Sequence, residues 1–172
     1  MATNDFKIIK CPGYTRIYRA EDRNTSGLTA TLKAGEAVKL GGTSTNFVTL
    51  LISGDPLVDT DVEFVGIVRK TSSETATADG EVEVTTIIPG QTVIRGYAKT
   101  AANIDTTSEL NALLYKRVFL EVETAKGDAT KIDEDQATAS TNGLQIIDGN
   151  TVDGTLDVIV SGRCTFVAGT RC

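Results

Sequence analysis

The side chains that most often carry out catalysis are scarce in this chain. Its 172 residues include no histidine, the most common general base and nucleophile activator in enzymes. The three cysteines, Cys11, Cys164 and Cys172, show no CxxC spacing, so we expect neither a disulfide framework nor a zinc site. A reduced, buried Cys164 is favoured over a Cys164–Cys172 disulfide. Any catalysis would therefore depend on carboxylates, lysines or tyrosines.

Acidic residues form two local clusters, DED at 133–135 and DTDVE at 59–63. Glycosidases need two carboxylates that face each other across a sugar, and aspartic proteases need two that share a proton. Neighbours in sequence do not establish either arrangement, and no aromatic residues flank these clusters to bind a sugar ring. We therefore interpret both clusters as solvated loop charge and expect no catalytic residues.

Two stretches partly match calcium-binding loops. Asp133-x-Asp135 begins like an EF-hand loop, but Ala137 occupies the third ligand position and no glycine follows at the sixth. The stretch DGNTVDG at 148–154 has Val152 where an oxygen ligand is required. We expect no metal site, although a structural Ca²⁺ at a loop or subunit contact stays an open alternative.

The glycine-rich stretch KAGEAVKLGGT at 33–43 could be mistaken for a phosphate-binding loop. In the pattern GxxxxGK[ST], counted from Gly35, the second glycine would fall at Leu40 and the lysine at Gly41. The stretch therefore predicts a turn, a short strand with Val38 and Leu40 facing the core, and a second turn. We expect no cofactor.

The composition favours a β protein that binds neither nucleic acid nor membrane. Hydrophobic residues make up 40% of the chain, aromatics only 5%, and threonine, valine and glycine are prominent. The formal net charge is −6, and the 17 basic residues are scattered among 23 acidic ones, unlike a phosphate-binding surface. No stretch approaches the ~18 apolar residues of a membrane span, and the N-terminus lacks the apolar region of a signal peptide.

Alternating and apolar segments predict many short strands, with no internal repeat evident between them. The predicted strands are LTATLK (28–33), AVKL (37–40), FVTLLIS (47–53), VEFVGIVRK (62–70), EVEVTT (81–86), TVIRGYAK (92–99), VFLEVE (118–123), LQII (144–147), TLDVIV (155–160) and RCTFV (163–167). An acidic loop is predicted at 131–143 and a turn at 53–56. The fold class is mainly β: a β-sandwich or partly closed β-barrel.

One short α-helix is predicted near 107–115. Thr106 and Glu109 form a capping box, in which each side chain accepts from the other residue's backbone N–H. Leu110, Leu113 and Leu114 then form one apolar face.

Residues 1–27 predict an extended N-terminal arm ahead of a single β-rich domain at 28–172. Short apolar pieces in the arm are interrupted by Pro12–Gly13 and followed by the polar run EDRNTSG. Such arms often pack on a neighbouring subunit. The alternative is that the segment forms a first hairpin of the domain.

Four segments in order, KAGEAVKLGG, EFVGIVRKT, ADGEVEV and IPGQTVIRGYAKT, resemble small capsid decoration (cement) proteins of tailed bacteriophages. The likeness covers residues 28–100 and is carried by Ala34–Leu40, Phe64–Ile67 and Ala78–Val84. The resemblance implies a non-enzymatic virion structural protein, made in the host cytoplasm, that binds the major capsid protein on the capsid exterior. It also implies a homo-oligomer, with a trimer favoured, and no nucleic-acid or membrane partner.

The arm is the predicted contact with the capsid or with another subunit. Its candidate contact residues are Phe6, Ile8, Tyr14, Ile17 and Tyr18. Alternative functions are another virion subunit (tail tube, head–tail joining or fibre base) and a carbohydrate-binding β domain. The absence of tryptophan argues against carbohydrate binding, because sugar rings usually stack on large aromatic side chains.

Overall fold

The computed structural model describes residues 6–27, 30–41, 47–51, 64–121, 131–138 and 144–160. The strands in these ranges are β1 (Lys7–Lys10), β2 (Thr15–Ala20), β3 (Ala37–Leu40), β4 (Phe47–Leu50), β5 (Phe64–Lys70), β6 (Gly80–Thr86), β7 (Val93–Tyr97), β8 (Arg117–Glu121), β9 (Lys131–Thr138), β10 (Leu144–Asn150) and β11 (Thr155–Val160). The helices are a single turn, α1 (Arg23–Ser26), and α2 (Thr107–Leu113), preceded by a 3-10 turn at Ala101–Asn103. The chain is mainly β, as predicted, and α2 is the predicted helix with its capping box.

Strands β2 to β6 form a closed barrel with the order β2-β4-β3-β5-β6. All neighbouring pairs are antiparallel except β2 and β4, which run parallel. The apolar run of β5 is buried from Phe64 to Val68, because this strand lies between β3 and β6 and packs on the core.

The other strands form a six-stranded sheet with the order β1-β7-β11-β10-β8-β9. This sheet curls back on itself, since an isolated parallel bridge joins Ala98, just after β7, to Ile132 of β9. The N–H of Lys99 also donates to the carbonyl of Ile132 at 2.9 Å. We call this part the curled sheet.

Residues 6–27 are extended, but they do not form a separate arm. Strand β1 pairs with β7 in the curled sheet, and β2 pairs with β4 and β6 in the barrel. Neither alternative from the sequence holds, because β1 and β2 belong to different sheets and do not form a hairpin with each other. The segment joins the sheets because β1 supplies backbone hydrogen bonds to the edge of β7 and because Phe6, 2% exposed, fills a place in the core.

The expectation that the chain has no internal repeat is wrong. Numbered within each unit, the barrel has the strand order 1-3-2-4-5, and β7 to β11 repeat this order in the curled sheet. In both units the first and third strands are parallel, and the fifth strand pairs antiparallel with the first. In the described residues of the curled sheet, the first and third strands are joined by a single bridge in place of a ladder.

The pairing register is repeated as well. In the barrel Val68 pairs with Val84, and the register then shifts at a bulge. In the curled sheet Ile146 pairs with Val158, and the same shift follows. Each pair is the third of its ladder, counted from the first pair, so the fourth and fifth strands of the two units match residue by residue around the bulge.

The turns that enter the second strand of each unit match too. Gly35 has a φ of 93° and Tyr115 has a φ of 66°. The N–H of Gly35 donates to Val68, and that of Tyr115 donates to Ile146, both at 2.8 Å. One sequence signal survives at the last strand: TADGEVEV at 77–84 matches TVDGTLDV at 151–158 in the pattern T-x-D-G-x-apolar-acidic-V.

Two predicted local structures are corrected. The described part of the predicted strand at 28–33 is not a strand; Leu32 is buried, and its N–H donates to the Glu74 carboxylate at 3.2 Å. The predicted acidic loop at 131–143 contains β9, so residues 131–138 are a strand. The predicted turn at 53–56, the cluster at 59–63, and the strand at 163–167 with Cys164 and Cys172 lie outside the described residues.

Candidate interaction surface

The acidic stretch in β9 has a structural role rather than that of a solvated loop. Glu134 is 3% exposed, and its carboxylate accepts from the backbone N–H groups of Lys99 and Thr100, each at 2.8 Å. Asn103 Nδ2 donates to the same carboxylate at 3.1 Å and to exposed Asp135 at 2.6 Å. Glu134 therefore holds the 3-10 turn that follows β7.

The stretch at 148–154 that resembles a calcium loop is the turn between β10 and β11. Asn150 Oδ1 accepts from the N–H groups of Val152 at 2.9 Å and Asp153 at 3.2 Å. Asn150 Nδ2 donates to the Asp153 carboxylate at 2.7 Å. The side chains of Asn150 and Asp153 therefore stabilise the turn itself.

The five predicted contact residues divide by exposure. Tyr14 and Ile17 are 77% and 69% exposed, and both lie at the start of the barrel's first strand. Ile8 and Tyr18 are half-buried and pack against the core. Phe6 is buried in the core of its own chain, and this corrects its prediction as a surface contact.

Tyr14 and Ile17 flank a strand edge that the described residues pair only in part. Strand β2 pairs with β6 along its whole length, whereas among the described residues its pairs with β4 are those of Arg19 and Ala20. The Thr86 N–H donates to the Tyr14 carbonyl at 2.9 Å. Peptide groups of an antiparallel strand alternate in direction, so those of Thr15 and Ile17 point away from β6. Within the described residues, no strand pairs with this side of Thr15–Ile17. We call Tyr14–Ile17 the β2 edge.

The side chains around the β2 edge are mostly charged and paired. Arg19 contacts Asp79 at 2.9 Å, and its guanidinium lies 4.9 Å from the centre of the Phe47 ring. Across the neighbouring strands, Arg69 contacts Glu83 at 2.8 Å. A depression of about 160 Å³ lies beside Ile17. The surface thus combines two exposed apolar side chains with a charged rim, a composition that is typical of protein interfaces.

Three exposed apolar residues were not predicted as contacts from the sequence: Ile9, Tyr115 and Val152, at 45%, 71% and 91% exposure. Val152 lies on the β10–β11 turn, and Tyr115 lies on the turn before β8. Tyr115 occupies the place that Gly35 has in the barrel, in a turn with a positive φ. The sequence around Tyr115 carries no glycine to mark that turn, so the repeat is the signal that identifies it.

Among the described residues, no group of three or more histidine, cysteine, aspartate or glutamate side chains could hold a metal ion. The described residues also contain no helix that is long and apolar enough to cross a membrane.

The chain matches no known family model, and no curated protein shows significant similarity to it.

Proposed function

We propose that this chain is a non-enzymatic virion structural protein that binds the outer surface of a tailed-phage capsid and reinforces the shell. The observation that carries the proposal is the pair of exposed apolar residues, Tyr14 and Ile17, at the start of the barrel's first strand, on an edge that no described strand covers there. Tyrosine is among the residues that most often dominate the binding energy of a protein interface, and Ile17 lines a depression in which a partner side chain could pack. The resemblance of residues 28–100 to decoration proteins supports the same function.

The way in which the two halves are connected suits a protein under mechanical load. Residues 87–92 join the barrel to the curled sheet, and residues 11–14 join them a second time, because β1 pairs with β7. Separating the halves would require breaking the β1–β7 pairing or the chain itself. A surface clamp that resists pressure from inside a shell needs this kind of stiffness.

The partner in this proposal is the major capsid protein, and the chain acts as a homo-oligomer, with a trimer favoured. Many weak contacts, repeated on a symmetric lattice, add avidity that a single contact lacks. An affinity that is modest for one copy is therefore sufficient to cover an assembled shell.

The test compares variants of the β2 edge in co-sedimentation with empty shells of the major capsid protein encoded in the same genome. Deleting residues 1–27 would remove strands from both sheets, so point substitutions are required. We expect Tyr14→Ala with Ile17→Ala to weaken binding at least about 10-fold. Val152→Ala, which truncates a still more exposed apolar side chain on the curled sheet, should leave binding unchanged. Equal binding by the wild type, the double variant and Val152→Ala would contradict the assignment of this surface.

A further inference from the structure

The repeat shows what is missing at the β2 edge. In the curled sheet, β1 covers the first half of β7, pairing Lys7 with Arg95 and Ile8 with Ile94. Ile94 is fully buried under this cover. The first half of β7 therefore has strands on both sides, β11 and β1.

The register identifies the matching residues of β2. Arg16 pairs with Val84 of the barrel, and Ile94 pairs with Val158 of the curled sheet. Val84 and Val158 themselves occupy matching places, as the shared bulge shows. Arg16 therefore stands where Ile94 stands in the curled sheet.

It follows that Thr15 and Ile17 match Val93 and Arg95, the residues whose outer sides β1 covers. In the described residues of the barrel, the matching cover is absent, and Arg16 is exposed where Ile94 is buried. We propose that the β2 edge is a strand-accepting site, which binds an extended segment of a different polypeptide with an acidic residue opposite Arg16.

A second copy of this chain does not supply the segment through its own β1. In the curled sheet, the Phe6 ring packs directly on Gly96, where any Cβ would collide with it. The matching barrel residue is Tyr18, whose half-buried side chain packs against the core. A strand carrying phenylalanine at that place would clash with Tyr18, so the accepted segment needs a small residue there.

Direct pairing between the β2 edges of two copies is also disfavoured. A two-fold antiparallel pairing of Thr15–Ile17 with itself places Arg16 opposite Arg16. Like charges directly opposite each other destabilise a strand pair, and charged residues on edges are a known protection against self-association. The same arginine favours an acidic residue on a foreign strand.

Recognition in this mode has two components. Backbone hydrogen bonds to the outward peptide groups of Thr15 and Ile17 supply affinity with little regard to sequence. The acidic residue opposite Arg16 and the small residue opposite Tyr18 supply selectivity. Exposed Tyr14 and Ile17 then pack against the outer face of the accepted strand.

The probe for the test is a synthetic peptide with the sequence of residues 6–12, which contains β1 and ends before the places that β4 pairs, carrying Phe6→Gly, Ile8→Glu and Cys11→Ser. A control peptide carries Ile8→Lys instead of Ile8→Glu. Binding to the isotope-labelled full chain is followed by NMR at peptide concentrations up to about 1 mM, where weak strand addition is measurable.

The matched variants are Ile17→Pro and Ile17→Val. Proline removes an N–H that points to the free edge and leaves the hydrogen bonds to β6 in place, whereas valine keeps the N–H and most of the apolar side chain. We expect shift changes at Thr15–Tyr18 in the wild type and in Ile17→Val, and at least about five-fold weaker binding to Ile17→Pro. The Ile8→Lys peptide should bind at least about five-fold more weakly than the Ile8→Glu peptide.

Several results would overturn the inference: no shift changes at Thr15–Tyr18 in the wild type, equal peptide affinity of Ile17→Pro and Ile17→Val, or no preference for the acidic peptide. If Ile17→Pro fails to fold, amide hydrogen exchange of wild-type Thr15 and Ile17 decides, since bound peptide must slow it. A homodimer that depends on this edge would overturn the choice of a different polypeptide. No shell is used, so failure here is separate from failure of the proposed function.

Discussion

At the scale of single residues, the Arg95–Asp157 pair shows how the two halves differ at one matching place. Arg95 donates to Asp157 twice, at 2.6 and 2.8 Å, and the Asp157 side chain is only 7% exposed. This hydrogen bond raises the pKa of Arg95 above its ordinary value. Asp157 matches Glu83 of the barrel, whose side chain is 30% exposed in its pair with Arg69.

We expect Asp157→Asn to lower the free energy of unfolding by about 2 kcal/mol, because a buried partner of a cation loses its charge. Glu83→Gln is the matched control and should cost less than about 0.5 kcal/mol, since exposed ion pairs contribute little. Urea unfolding of both variants measures the difference. Equal losses would show that burial does not set the strength of these pairs.

Glu134 carries the second residue-scale prediction. Glu134→Ala should destabilise the chain by about 3 kcal/mol, because it leaves the N–H groups of Lys99 and Thr100 without their charged acceptor. Asp135→Ala, which removes the exposed neighbour, should cost under about 1 kcal/mol. Thermal unfolding provides the measurement, and a small loss for Glu134→Ala would contradict the structural role assigned to this carboxylate.

At the scale of elements, α2 depends on its capping box rather than on deep burial, since none of its residues is fully buried. Thr106 donates its hydroxyl to Glu109 at 2.8 Å and accepts from the Glu109 N–H at 3.3 Å. The hydrogen bond from Thr106 lowers the pKa of Glu109, and the hydrogen bond with Glu109 raises the pKa of Asp105.

The signs of these shifts define a pH dependence. Ionised Glu109 stabilises the helix above its unfolded pKa, and this contribution is lost as the pH falls through the lowered folded pKa. The raised pKa of Asp105 acts in the opposite sense, favouring the fold in the protonated form. We expect Thr106→Ala to cost about 1 kcal/mol at neutral pH and to raise the pKa of Glu109. Ser108→Ala is the control, and an unchanged Glu109 pKa in a carboxylate NMR titration would be the contrary result.

The elements also show how far sequence patterns reach. Strand β6, with apolar residues at alternating positions, was predicted correctly because its pattern reflects one buried face. Strand β11 was predicted from its apolar run, and it is buried on both faces. Strand β9 was missed because its sequence, KIDEDQAT, carries buried acids in place of apolar residues. Those acids are stabilised by contacts with residues 99–103, which no local pattern reveals.

At the scale of the whole molecule, β1 is the element that the sequence could not place. Its partner β7 lies far along the chain, and pairing between distant strands leaves no local signal. The repeat was missed for a related reason: topology and register are kept, while the clear sequence match is confined to 77–84 and 151–158. Of the candidate contact residues, Tyr14 and Ile17 are exposed, whereas the burial of Phe6 follows from the unforeseen β1–β7 pairing.

The double connection between the halves gives a whole-molecule prediction. Phe6→Ala should cost about 3–5 kcal/mol, because Phe6 packs on Gly96 and leaves a cavity when truncated. We also expect faster hydrogen exchange along the outer edge of β7, since β1 loses its anchor. Ile9→Ala, which shortens an exposed side chain of the same strand, is the control. Unchanged hydrogen exchange at β7 in Phe6→Ala would contradict the assignment of β1 as the strand that covers the edge of β7.

The central claim, that the chain binds and reinforces a capsid, is tested most directly by the rupture temperature of empty shells with and without the added protein. The shells are assembled from the major capsid protein of the same genome, and bound protein is quantified after sedimentation. We expect saturable binding to assembled shells, no binding to free capsid subunits, and a higher rupture temperature for the coated shells. Absence of binding, or binding that leaves the rupture temperature unchanged, would contradict the claim.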